Sequence, residues 1–413
     1  MVGEPRLRLT YLDGIRAVAA MFVALHHIWL GVWDDFPANA GPWWTGWLLY
    51  GHIAVAVFIV LSGFSLAIEP VRNEGRLRGG NRRFFRRRAW RILPAYWAAL
   101  AVSIILIAVR QHELLGPDGT VVGYQPVTVK SVVVHGLLLQ DVIGSPSPNG
   151  AFWSIAIEWQ IYFLFPLLLW WHRRFSARTL IFSVLAVVIV SQYLSLAFDV
   201  LSPIQGLTPQ FLALFVFGMV AADVLSGPPR PRRWALAGAA AGTVVLVAWA
   251  WIAGSPAMVA NFFWVDLAAG VCTALLLAGL VHARSSRLRS LFETRFLRWT
   301  GRFSYSIYLV HSPILLTLWY FAVVPMRLEP VPRFLVMLAL GMPAVIFGSW
   351  LFSRLFEEPF LRHRSWASLR EAFAARWAAL RSRLARTRPA GAGARAPDTG
   401  TPGPEVSLVP EER

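Results

Sequence analysis

Lysine and cysteine are almost missing from this chain of 413 residues: Lys130 is its single lysine and Cys272 its single cysteine. One cysteine inside an apolar block excludes a disulfide framework and a cysteine metal site. There is no Walker loop, no dinucleotide fingerprint, no metal-ligand spacing and no Gly-x-Ser-x-Gly elbow. Those absences leave no metal site and no permanently bound cofactor to expect. No internal repeat is visible. No signal peptide is expected, because the first apolar stretch is too long for a signal h-region and no small-residue cleavage site follows it. No soluble domain is expected after the last apolar block.

What the chain does have is apolar length. It is 56% hydrophobic, with a mean hydropathy of +0.54, and the apolar residues come in blocks near the ~20 residues that cross a bilayer as a helix. This predicts an all-α membrane protein, a bundle of about ten spans at 11–33, 45–67, 89–110, 152–171, 179–198, 209–226, 233–253, 261–282, 303–324 and 334–356. The net charge of +17 is almost all arginine. The arginines sit in loops between apolar blocks, which reads as orientation in a lipid bilayer and not as nucleic-acid binding. Residues 70–91, 172–178, 230–233, 282–302 and the stretch after Arg362 are basic; the alternate loops are poor in arginine, with Arg327 and Arg333 as exceptions. The positive-inside rule then puts both termini in the cytoplasm. Residues 127–143 are apolar but short and carry Lys130, His135 and Asp141. Counting them as a span would invert every later loop, so they read as a re-entrant or surface helix on the outer side, before helix 4. The transmembrane domain is expected over 1–360. A basic amphipathic helix lying on the cytoplasmic leaflet is expected over 361–388, and a disordered Pro/Gly-rich tail over 389–413.

The first span carries the sharpest signal. It holds Asp13, Arg16, His26 and His27, and ionisable groups at membrane depth usually face a protein interior or a wet cavity. Arg16 and His27, eleven residues apart, fall within about 20° of one helical stripe and about 16 Å apart along the axis; His26 lies about 80° off it. The stripe suits a site that holds an anion near one surface and moves protons deeper in. The alternative is a helix-end anchor plus a histidine satisfied in the bundle. Arg88 and Arg91 share a face entering helix 3, as either part of a topogenic charge run or a forked phosphate clamp. Glu158 follows Trp153 in an aromatic-rich span, as either a catalytic carboxylate or half of a structural ion pair. Ser304, Tyr305, Ser306, Tyr308 and His311 open helix 9 at helical steps, as site residues or as packing. Asp223, Asp266 and Cys272 are read as packing residues.

Together these stretches resemble the acyltransferase-3 family of multi-pass bacterial membrane O-acyltransferases. The resemblance rests on Leu12-Asp13-Gly14-Ile15-Arg16 with His27, on Phe58 to Phe64 ending in Ser-Gly-Phe, and on Arg88-x-x-Arg91 with Pro94. It continues through Phe152-Trp153-Ser154 to Glu158 and Tyr162, then Ser304-Tyr305-Ser306-Ile307-Tyr308-Leu309-x-His311, and closes with Glu358-Pro359-Phe360. It spans residues 10–360, and the ordered set is more specific than any one motif. It implies that Arg16, Arg88 and Arg91 serve acyl-coenzyme A, acetyl-coenzyme A most simply, and that His27 is the catalytic histidine. Many members carry a hydrolase-like domain or an extra helix after helix 10; membrane-only members acylate glycans, lipid-linked sugars or sugars of natural products.

The function expected on these grounds is O-acyl transfer to a hydroxyl of a sugar or glycoconjugate. His27 would act as base or acyl relay and Glu158 would orient it. Asp13, Trp153, Ser154, Tyr305, Ser306, Tyr308 and His311 would support the site. The rival is a transporter or flippase of a lipid-linked sugar that uses the same Arg, His and Glu as an ion relay.

Overall fold

The computed structural model of the protein describes residues 9–33, 35–110, 127–201, 203–228, 232–283, 286–363 and 365–386. Its helices are α1 (Tyr11–Val32), α2 (His52–Val71), α3 (Gly80–Arg110), α4 (Val129–Gly136), α5 (Gln140–Ile143), α6 (Phe152–Arg174), α7 (Ala177–Ala197), α8 (Pro203–Gly206), α9 (Gln210–Ala221), α10 (Arg233–Ala260), α11 (Phe262–Leu280), α12 (Arg287–Phe292), α13 (Arg295–Gly301), α14 (Ser304–Leu318), α15 (Pro330–Phe352), α16 (Glu358–Arg362) and α17 (Trp366–Arg386). No strand occurs among the described residues. Nine described helices are long and apolar enough to cross a bilayer, or ten if the pair bent by 42°, Asp199–Gly206 with Gln210–Leu225, is one broken span.

Side-chain contacts fix the relative directions of α1, α2, α6 and α14. Arg16 bonds Ser65 and His26 packs over Gly51, so α1 and α2 are antiparallel. His52 meets Trp153 and Ser62 meets Tyr162, so α6 runs with α2. Asp13 packs on Gly301 and His27 on His311, so α14 runs with α1. We call the face on which α1 begins the near face. The described residues between α3 and α6, 127–151, lie toward the far face: α4 is eight residues long and is capped by Thr128, whose hydroxyl accepts from the Ser131 amide. It hangs on α3 through Tyr96 to the His135 carbonyl (3.1 Å) and Trp97 to the Gly136 carbonyl (2.9 Å). Residues 127–143 therefore do not cross, as expected.

Several ends differ from the expected spans. Helix α3 begins at Gly80, so the arginine run is helical and extends past the apolar block. Helix α10 continues to Ala260 over a kink at Gly254, whose φ of 77° only glycine adopts readily. The last spanning helix gives way to a π-turn at Ser353–Glu357. The basic stretch after α11 is not loop throughout: it holds α12 and α13, packed on the start of α1. There the buried Arg289 donates to the carbonyls of Leu280 and Val281 (3.3 and 3.2 Å), pairs with Glu293 (3.1 Å) and lies over the Tyr11 ring. These bonds satisfy the carbonyls that the end of α11 leaves without helical partners.

Small residues set the helix spacing. Gly63 of α2 lies against the Phe215 carbonyl of α9, and Gly218 of α9 against the Val60 carbonyl of α2; a Cβ at either would enter the neighbour's backbone. Where lipid supplies no hydrophobic drive between helices, such close backbone packing is what holds them. The chain divides into two units, Met1–Arg364 and Ser365–Arg413. The second contains α17, which carries exposed Trp366 and Trp377, the latter under the Arg381 guanidinium. The tail expected to be disordered, 389–413, lies outside the described residues.

Candidate active site

A cavity of about 280 Å³ opens between α1, α2, α3, α6 and α14. Its α2 wall runs from Leu66 up to Val55, eleven residues, or about 16 Å of helix. Arg16, Arg88 and Arg91 line it, with Glu158, Tyr162, Ser154, Tyr305 and Tyr308. Five helices, drawn from Arg16 to Tyr308, thus supply one site.

Charge in the cavity is unbalanced. Arg16 bonds Asp13 at 3.1 Å and Ser65. Among the described residues no carboxylate comes within ion-pair distance of Arg88 or Arg91, and the Arg88 Nε is buried with no partner. The other arginines of that run behave differently: Arg82, Arg83 and Arg86 are exposed, and Arg87 pairs with Glu69 at 3.0 Å. The charge run and the inward pair therefore coexist on one helix. Half-buried guanidiniums that outnumber the carboxylate beside them and are not ion-paired to it make a place for an anion.

Glu158 stands in this cavity and not beside His27. Its carboxylate accepts from the Tyr162 hydroxyl. Because that proton is spent on Glu158, the Ser62 hydroxyl is the donor in the 3.0 Å contact with Tyr162. The bond expected between Glu158 and His27 is not formed. What orients His27 is its own helix: Nδ1 donates to the Val23 carbonyl at 2.9 Å, which leaves the Nε2 lone pair of the neutral ring free.

His27 does not line the cavity. It lies beyond the far end, its ring 4.7 Å from that of His311. His311 is fully buried, its Nδ1 donates to the Ile307 and Tyr308 carbonyls (3.1 and 2.8 Å), and its Nε2 has no partner. Tyr308 links the two regions: its ring is 5.9 Å from His311 and its hydroxyl is 2.6 Å from Ser154 Oγ. Asn149, buried beside them, ties α14 to the turn before α6 through the Leu309 carbonyl (2.9 Å). His26 faces elsewhere, with Nδ1 on the Leu48 carbonyl at 2.7 Å.

The remaining expected residues divide. Tyr305 lines the cavity and donates to the Ile92 carbonyl at 3.2 Å. Trp153 and Ser306 do not line it. Ser306 instead donates to Glu357 at 2.6 Å. Glu357, 2% exposed, is a residue the sequence reading passes over in favour of Glu358. Glu358 proves to be the outward one, bound to Arg354 and Arg362. The adjacent pair of glutamates was the available signal, but the π-turn that rotates Glu357 inward has no sequence mark. Trp153 stacks on His52, which pairs with the fully buried Asp266 at 3.1 Å while Gln210 donates to the same oxygen at 3.0 Å. Asp223 likewise pairs with His172 at 2.9 Å. Both aspartates, read as packing residues, are imidazole partners.

Similar proteins bear on this arrangement. The chain is 26% identical over 322 residues to the peptidoglycan O-acetyltransferase OatA of Listeria monocytogenes, covering 74% of this chain and 49% of that one. It is 27% identical over 331 residues to the putative peptidoglycan O-acetyltransferase YrhL of Bacillus subtilis, covering 74% and 48%. It is 28% identical over 335 residues to the acyltransferase MdmB of Streptomyces mycarofaciens, covering 75% and 80%. The chain thus spans about half the length of the two peptidoglycan O-acetyltransferases. No solved structure matches significantly. The family model of the acyltransferase-3 domain matches residues 9–354, and the chain belongs to that family.

Proposed function

We propose that the protein is a membrane O-acyltransferase that takes an acyl group, most simply acetyl, from acyl-coenzyme A and places it on a hydroxyl of a sugar, glycan or glycosylated natural product. The observation that carries this reading is the cavity itself. Three guanidiniums, two of them without a carboxylate, gather toward one end, and an imidazole with a free Nε2 stands past the other. A phosphate-bearing thioester matches both ends: its phosphates take the forked donors of Arg16, Arg88 and Arg91, and its flexible arm spans the roughly 16 Å to His27. There the imidazole removes the proton of the acceptor hydroxyl. Glu158 stays with the donor as a fixed negative charge among the arginines, holding Tyr162. The glycan acceptor is supported by the relatives' names. The arginine-rich loops support an inner-membrane orientation with the near face cytoplasmic.

The test is purified protein in detergent, with acetyl-coenzyme A and no ion gradient. Coenzyme A release that is accelerated by a sugar acceptor is the expected result. A protein that neither binds nor consumes acyl-coenzyme A, yet moves a lipid-linked sugar across vesicles, is the flippase and not the transferase.

A further inference from the structure

Two hydroxyls close the far end of the cavity. Ser154 Oγ and Tyr308 OH lie 2.6 Å apart, and either is able to donate to the other. Both residues are buried, and both line the cavity. Two hydroxyls carry two protons, and their mutual bond uses one whichever way it points. Neither makes any other hydrogen bond among the described residues, so the pair holds one O–H unspent on the protein. Serine and threonine elsewhere in these helices do not behave this way. Ser191, Ser195, Thr243 and Thr273 each donate to a carbonyl three or four residues earlier, the usual way a helical hydroxyl is satisfied. Ser154 forgoes that bond to meet Tyr308.

The neighbours say what an unspent donor is needed for. His311 and His27, next along, have committed Nδ1–H to backbone carbonyls. In the neutral rings only Nε2 lone pairs remain, which accept and do not donate. The arginines lie toward the other end, where the reading above puts the phosphates. Among the described residues that line this end of the cavity, the unspent donor met by a carbonyl brought between cavity and imidazoles is the Ser154–Tyr308 pair.

We propose, resting on the acyl-transfer reading, that this pair is the oxyanion donor of the reaction and that Tyr308 and Ser154 are catalytic residues. As the acceptor oxygen bonds to the thioester carbonyl carbon, the carbonyl π pair moves onto its oxygen, which takes the spare O–H. The acceptor proton passes to His27 Nε2. When the oxyanion collapses, the C–S bond breaks and the departing sulfur takes that proton back from His27, leaving an ester and a thiol. Such donors act where charge develops, in a site closed to water.

The proton count makes an unusual prediction. Removing either hydroxyl frees the proton of the other, so each single variant keeps one donor; only the double variant has none. In full-length protein, Tyr308→Phe and Ser154→Ala are each expected to lower kcat by no more than about tenfold. The double variant should lose about 10²–10³-fold, the cost of an absent oxyanion donor, with acetyl-coenzyme A affinity within about twofold of wild type throughout. If the double variant does not fold, Tyr308→Phe with Ser154→Cys keeps the volume, leaves only a weak S–H donor and should lose more than either single variant, a loss no greater than that of the singles overturning the proposal. A double variant within tenfold of wild-type kcat overturns the proposal. So does one whose loss is the product of the singles and is matched by lost donor affinity, the pattern of mere packing. A wild type that never consumes acyl-coenzyme A overturns the acyl-transfer reading, and this proposal with it. A wild type that turns over beside an equally active double variant overturns this proposal alone.

Discussion

The rings of His27 and His311 meet edge to face with centroids 4.7 Å apart, while His26, next in sequence, packs over Gly51 and bonds the Leu48 carbonyl. Two adjacent histidines of one helix are thus sorted by a turn of about 100° into different surroundings. Both hold a backbone carbonyl through Nδ1, but His27 meets the buried ring of His311 whereas His26 packs on Gly51 and Phe36.

That sorting predicts unequal variants. His27→Ala is expected to lower acyl transfer by about 10²–10⁴-fold, the usual contribution of a general base. His26→Ala is expected to leave transfer within about tenfold and to lower stability as a packing loss does. Labelled-donor transfer and membrane expression, measured side by side, decide it. An active, well-expressed His27→Ala protein removes that residue from the chemistry.

Arg91 faces the cavity and Arg82 is exposed on the same helix. Lysine keeps the charge but loses the planar fork. Arg91→Lys should weaken acetyl-coenzyme A binding about tenfold, one to two kcal/mol in bidentate contacts, and Arg82→Lys should not change it. Calorimetric titration of both variants checks this; equal affinities would return Arg91 to the charge run.

Gly63 tests the fold. A Cβ there meets the Phe215 backbone, which is not able to move as a side chain does. Gly63→Ala should cost about 1–3 kcal/mol, the range for overpacking. Gly31, with nothing within 4 Å of its added Cβ, should gain up to about 1 kcal/mol as Gly31→Ala through helix propensity. Unfolding in mixed micelles reads both; a Gly63→Ala protein as stable as wild type would mean that α2 and α9 are not packed this closely.

Asp141, in α5 outside the spans, has one carboxylate oxygen buried without a partner, and burial pushes its carboxyl up to about 7 from an ordinary 3.8. The folded state then binds more protons than the unfolded between those values. This group's effect on stability is therefore most favourable at low pH and falls as pH rises to about 7. Asp141→Asn should remove that slope: the variant should gain on wild type between pH 5 and pH 8 in melting temperature. A constant difference across that range would show that the carboxyl titrates normally.

Local physics was legible in the chain. Apolar length, arginine-rich loops and the cost of ionisable groups in lipid marked the spans, ruled 127–143 out as a crossing and singled out Arg16, Arg88, Arg91, Glu158 and His27. Each of those signals is contained in one segment, because helical periodicity and bilayer thickness act on a segment by itself. Partner choice was not legible. Glu158 went to Tyr162 and not to His27, His52 found Asp266, Ser306 found Glu357 through a π-turn, and His27 came to rest beyond the cavity against His311. These pairings depend on the depth and rotation of one helix against another. Close contacts such as Gly63 on Phe215 and Gly218 on Val60 set both, and only the assembled bundle brings those contacts together.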